Sequence, residues 1–219
     1  MPTTARWGLR GQIVQQNRVR SHWIPPFPLA AGLAFQCIAW SLVLVHAVAP
    51  SFGIELAWVH DVALGWLTLV ALAVLIHVIP GFTSLDWRGE GAVRTAVIVA
   101  AVATLALVVS FALAISAGVV IAAVSVSIAL LVYATLAIAT LCQPASDVKS
   151  AAIARGLTAT QVALALTALM GTLPALGYAG VPALLSVAPS HAVLGIVAWL
   201  MLLTSGVSMR TFQPPHGPS

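Results

Sequence analysis

Apolar residues in this chain come in six long runs, and proline, glycine and charged residues fall between them. A helix that is apolar on all sides belongs inside a large core or a bilayer, and roughly 20 such residues are needed to cross one. Windows of that length place candidate spans at about 28–49, 57–80, 95–116, 119–142, 156–178 and 189–209. No Lys, Arg, Asp or Glu stands in their central stretches. Pro25, Pro26 and Pro28 precede the first span and Pro50 follows it. Pro80 and Gly81 mark the end of the second, and Pro144 the end of the fourth. Between the third and fourth only Ser116, Ala117 and Gly118 offer a turn. One helix through both runs would be too long for a bilayer, so a tight hairpin is expected there.

Composition agrees with the pattern: 61% of the 219 residues are hydrophobic, 6% are charged, and the mean hydropathy is +1.06. Nine Lys and Arg with five Asp and Glu cannot clothe a soluble fold of this length. The expected class is all-α: a polytopic membrane protein of six transmembrane helices. A polar basic segment, 1–25, leads into one membrane domain, 26–210, and a short tail, 211–219.

The basic residues give an orientation. Arg6, Arg10, Arg18 and Arg20 precede span one, Arg88 and Arg94 separate spans two and three, Lys149 and Arg155 separate four and five, and Arg210 follows six. All fall on one side of a six-span chain, so the positive-inside rule puts both termini in the cytoplasm of a multi-pass protein of the cytoplasmic (inner) membrane. Topology and anionic lipid headgroups account for the basic balance without a nucleic-acid partner. The apolar run after the first 25 residues has full span length and no small-residue cleavage site, so no cleaved signal peptide is expected. Cys37 and Cys142 lie at different depths, and a disulfide between them is not expected.

Ionisable groups inside lipid are costly and point to function, so the six histidines carry the chemical question. His22 and His216 lie in polar tails. His46 ends span one, His60 begins span two, His77 lies near the end of span two, and His191 begins span six. About 25 Å of helix rise separates His60 from His77, which therefore belong to opposite faces. His46, His60 and His191 share the outer level, where imidazoles are suited to a metal or a haem; at helix ends they also suit the wet headgroup zone. Asp61 is read as a helix-dipole cap or as an acceptor that orients a histidine. His77 is placed at the interface, with a quinone headgroup or haem propionates as its candidate ligands. Trp40, Trp58, Trp87 and Phe82 suit an aromatic belt, whereas Trp66 and Trp199, deeper in their spans, suit packing against a flat cofactor. Thr160 and Gln161 are candidates for hydrogen bonds across span five, and the loop 84–91 for docking a partner subunit.

Spans two and six also correspond. Span two reads H-D-V-A-L-G-W from His60 to Trp66, and span six H-A-V-L-G-I-V-A-W from His191 to Trp199. At 100° per residue the two histidines then occupy neighbouring faces relative to the tryptophans. A small residue precedes each tryptophan, Gly65 or Ala198, as duplicated helices would have it. The pattern H-x-H-L-x-L-x-G-W, followed by a proline toward the far end, resembles the haem-copper oxidase subunit I-like membrane proteins. Span two carries it as His60, Leu64, Gly65, Trp66 and Pro80, and span six as His191, Leu194, Trp199 and the nearby Pro214. The resemblance implies a low-spin haem held by histidines near the outer ends of two even-numbered helices, here His60 and His191. That is a six-coordinate b haem suited to electron transfer.

Spans three to five contain no histidine for a copper site, and Tyr133 and Tyr178 have no histidine near them in sequence. Oxygen reduction is therefore not expected, and nor is proton pumping, because no Asp, Glu or Lys is read inside a span to relay protons. The chain is read as an electron-transfer or accessory protein of the membrane, working with a redox partner protein or a quinone, alone, as a homodimer or in a larger complex. Copper or zinc bound by His46, His60 and His191 is the alternative in another class, and a cofactor-free permease or scaffold subunit is a third.

Overall fold

A computed structural model describes residues 26–144 and 148–211. The basic segment with Arg6, Arg10, Arg18, Arg20, His22 and Pro25, and the tail with Pro214 and His216, lie outside the described residues. Six helical spans are present: Phe27–Val48, Phe52–Thr83, Glu90–Ala112, Ser116–Leu141, Ser150–Tyr178 and Pro182–Ser208. No strand occurs among the described residues. The protein is an all-α, multi-pass membrane protein. Large apolar side chains such as Leu33, Leu44, Val102, Ile121, Ile128, Leu169 and Ile196 face outward, as a lipid solvent requires.

Spans two to five form a four-helix core in which two packs on three, three on four, four on five and five back on two. Span one lies against spans two and three, and span six packs against span five. Spans three and four are the most buried, and span six the least. Alanines line the contacts, with Ala96, Ala100 and Ala103 on span three and Ala122, Ala129 and Ala137 on span four all buried. Small side chains let helices approach closely, which is where association energy in lipid comes from. Gly65 serves the same end, since a Cβ there would run into the Phe35 ring of span one. Successive spans alternate in direction, so His46, His60 and His191 share one end of the bundle, the histidine end. Arg88, Arg94 and Arg155 mark the other, the arginine end.

Several helix ends differ from the expected bounds, and two of them have a visible structural cause. The hairpin between spans three and four turns at Leu113–Ile115 rather than at Ser116–Gly118. Ala114 takes the left-handed conformation at φ 54°, its N–H donates to Phe111 O, and the Ile115 N–H donates to Ser110 O. This is a Schellman ending with alanine at the position that glycine favours, a preference that hid the turn in the sequence. Span two also runs past Pro80 to Thr83, with Pro80 buried inside the helix. Proline has no N–H to give the carbonyl of Ile76, and the Trp87 indole supplies the missing bond, Nε1 to Ile76 O at 2.9 Å. Trp87 is thus a helix-completing residue rather than a belt residue. It also packs on Tyr133, ring centroids 6.0 Å apart. The loop 84–89 docks on this chain's own span four, where Arg88 N donates to Thr140 Oγ1 and Gln143 Nε2 to Asp86 O, each at 3.0 Å.

Two substitutions check these assignments by thermal unfolding in detergent. Trp87→Phe, which keeps a ring but strands the Ile76 carbonyl, lowers stability by about 1–3 kcal/mol, and an unchanged protein refutes the bond's role. Ala114→Gly relieves the left-handed strain and raises stability by about 0.5–1 kcal/mol.

Candidate functional site

The span-two helix starts on Ser51, whose Oγ accepts from the N–H of Ile54 at 3.2 Å. His60 therefore lies more than two turns inside the helix rather than at its first residue. A π-helical segment, Asp61–Thr68, follows it directly. Span six repeats the arrangement: a short α-helix, Ala188–Val193, carries His191, and a π-helical segment, Leu194–Met201, follows. π-helical turns are rare and concentrate at functional sites. Each π segment contains its span's tryptophan, Trp66 or Trp199. The likeness of the two spans thus extends to backbone geometry, and the 100° step of an α-helix no longer relates histidine to tryptophan in either.

Both imidazoles are fixed through Nδ1. His60 Nδ1 lies 2.8 Å from Leu56 O, and His191 Nδ1 lies 3.1 Å from Thr167 O on span five. A carbonyl oxygen only accepts, so Nδ1 carries the proton in both rings and Nε2 keeps the lone pair. A histidine that binds a metal ordinarily has its other nitrogen held in this way. Phe111 of span three packs on the His60 ring with centroids 4.9 Å apart and planes tilted 34°. Tyr178 of span five meets Phe111 edge-on at 5.4 Å. Gly171 of span five makes room for His191, since a Cβ there would stand 2.8 Å from Cε1 of the ring. His60 and His191 lie within electrostatic reach of one another.

The remaining candidates are not brought into this pair. His46 is half-buried on span one, and its Nδ1 has no hydrogen-bond partner. Among the described residues no three His, Cys, Asp or Glu side chains converge on a metal position, so the trio His46, His60 and His191 is not assembled. His77 lies near the arginine end, far along span two from His60. Trp66 is half-buried and Trp199 is 2% exposed in the core, below the level of His191. Cys37 and Cys142 are free.

Asp61 and Gln161 correct the sequence reading. Asp61 caps no helix, because the helix begins at Phe52, and it accepts no imidazole N–H; it is fully buried inside span two, and neither carboxyl oxygen has a hydrogen-bond partner. A span therefore does contain an acid. The Thr160 hydroxyl bonds back to Gly156 O within its own helix rather than across to another, and the Gln161 amide is buried without a partner. Asp61 was legible as a polar residue in an apolar run, but its burial depended on a helix start that the run's edge concealed.

No family model, curated protein or solved structure matches the chain.

Gly171→Ala tests how closely span five fits His191. The added methyl pushes the ring off Thr167 O and costs about 1 kcal/mol in thermal unfolding, and that cost disappears in a His191→Ala background. An equal cost in both backgrounds refutes the fit.

Proposed function

We propose that this is an integral membrane protein that holds a b-type haem between His60 and His191 and serves in electron transfer. The observation that carries the reading is the shared Nδ1 bonding: two histidines at one end of the bundle, on two helices that both turn π-helical, each keep Nε2 as the ligating nitrogen. The donor set fits haem iron, for which neutral imidazole held by a carbonyl is a common axial ligand. When bound, the haem would supply a one-electron carrier. The chain's own part is to orient the rings through Leu56 O and Thr167 O, to pack the His60 ring with Phe111, and to keep the surroundings apolar.

The resemblance to haem-copper oxidase subunit I-like proteins supports the same pair, without histidines in spans three to five for a copper site. The reading places both termini in the cytoplasm, from the distribution of arginines, and the His60 and His191 ends toward the outside. A redox protein or a quinone would exchange electrons with the site. A copper or zinc site loses support, because it calls for a third ligand that His46 does not provide.

Protein purified from haem-replete cells is expected to show the reduced-minus-oxidised bands of a low-spin b haem. His60→Ala and His191→Ala each abolish them, while His46→Ala and His77→Ala retain them. A colourless wild-type protein, or bands that survive both ligand substitutions, overturns the proposal.

A further inference from the structure

Spans two and six carry the two histidines, yet both rings are stopped by contacts that lead to a third helix, span five. The helix Val148–Tyr178 runs unbroken through this region with Pro174 inside it. Thr167, Gly171 and Tyr178 follow one another along it at intervals of four and seven residues, which places them within roughly 40° of one another around the helix. That face meets His191 twice. Thr167 O accepts from Nδ1 at 3.1 Å, and the ring lies so near Gly171 that a Cβ there would stand 2.8 Å from Cε1. About two turns further on, Tyr178 meets the Phe111 ring edge-on at 5.4 Å, and Phe111 packs on the His60 ring at 4.9 Å. Gly53 lets the start of span two close on this cluster, since a Cβ there would run into the Phe111 carbonyl and touch the Tyr178 hydroxyl.

The two imidazoles differ in what keeps them from turning. A hydrogen bond keeps most of its strength over about 30° of misalignment, so an Nδ1 bond alone leaves a ring free to swing about its Cβ–Cγ bond. For His191 the backbone of span five at Gly171 lies against the ring and removes that freedom. For His60 the bond goes to Leu56 O of its own helix, and Phe111 is the ring against its face. Phe111 is oriented in turn by the edge-on contact with Tyr178, a geometry that aromatic pairs favour.

We infer that Tyr178 is a positioning residue for His60, acting through Phe111 to fix the plane of the imidazole, so that one face of span five sets the orientation of both rings. The consequence rests on the haem reading, because the angle between two imidazole planes matters at an iron they share. The chain of packing contacts does not rest on it.

Electron paramagnetic resonance of the oxidised protein in lipid nanodiscs tests this, since the largest g value of a ferric haem with two imidazole ligands follows the angle between their planes. Tyr178→Ala is expected to shift that g value while the haem stays low-spin, and Tyr178→Phe, which keeps the ring edge, to leave it as in the wild type. Phe111→Leu gives a shift as well and serves if Tyr178→Ala does not fold. Trp87→Phe, which weakens the bundle at the arginine end, leaves the signal unchanged and so separates positioning from general loosening. A g value unmoved in the folded Tyr178→Ala or Phe111→Leu variant, or moved as far by Tyr178→Phe or Trp87→Phe, overturns the role. If the wild type purifies colourless, the haem reading falls and thermal unfolding reads the packing chain by itself. Positioning then requires the costs of Tyr178→Ala and His60→Ala to be non-additive, and additive costs overturn it.

Discussion

In a bilayer no water reaches the helix walls, so each backbone carbonyl and N–H must find a partner inside the protein. The irregular features of this fold are answers to that demand. Pro80 leaves Ile76 O without its helical donor, and the chain returns eleven residues later with the Trp87 indole. The three-four hairpin closes its carbonyls with a Schellman ending even though alanine must take a left-handed conformation to do it. Hydroxyls are absorbed in the same way: Ser41, Thr83, Thr95, Ser110, Ser125, Thr158 and Thr167 each bond back to a carbonyl of their own helix. A Ser or Thr in these spans therefore seldom signals chemistry. Ser127, which reaches Ala168 O on the neighbouring span, is the informative exception.

The same demand gives the histidines their form. An imidazole buried among helices must place its N–H, and the acceptors on offer are carbonyls. His60 uses Leu56 O one turn back in its own helix, while His191 reaches across to Thr167 O. Either solution fixes the tautomer and leaves the basic nitrogen at Nε2. The two rings thus arrive at a common chemical state by different routes, one local and one between spans. This is a stronger resemblance between spans two and six than their shared Leu and Trp residues, which are common in any membrane helix.

Much of this was legible in the sequence, and what was not has identifiable causes. Six spans follow from apolar run length, because the bilayer sets that length. The pair His60 and His191 stood out because an imidazole is conspicuous in an apolar run. Span ends were less legible: Pro80 is a helix breaker only while the carbonyl it orphans has no other donor, and that donor comes from the next loop. The Ala114 turn lacks the glycine by which such turns are usually found. The π segments leave no mark, since a run that is apolar on every side has no periodicity to interrupt. Gln161 was visible as a polar group in its span, yet that its amide meets no partner there depends on which neighbours the packing gives it.

Span six holds its place by packing on span five and is the least buried of the six, yet it carries one of the two histidines. In lipid an exposed apolar face costs nothing, so little apolar burial is gained by pressing span six deeper into the bundle. Its directional ties are the His191 bond to Thr167 O and the insertion of Trp199 into the core. On the proposed reading, a group shared by His60 and His191 would bind span six to span two as well. Ligand binding and helix assembly would then draw on one free energy, as they do wherever a site exists only in the assembled state. The wide apolar surface of span six is accordingly compatible with a specific position, because that position is set by one hydrogen bond and one inserted ring rather than by area.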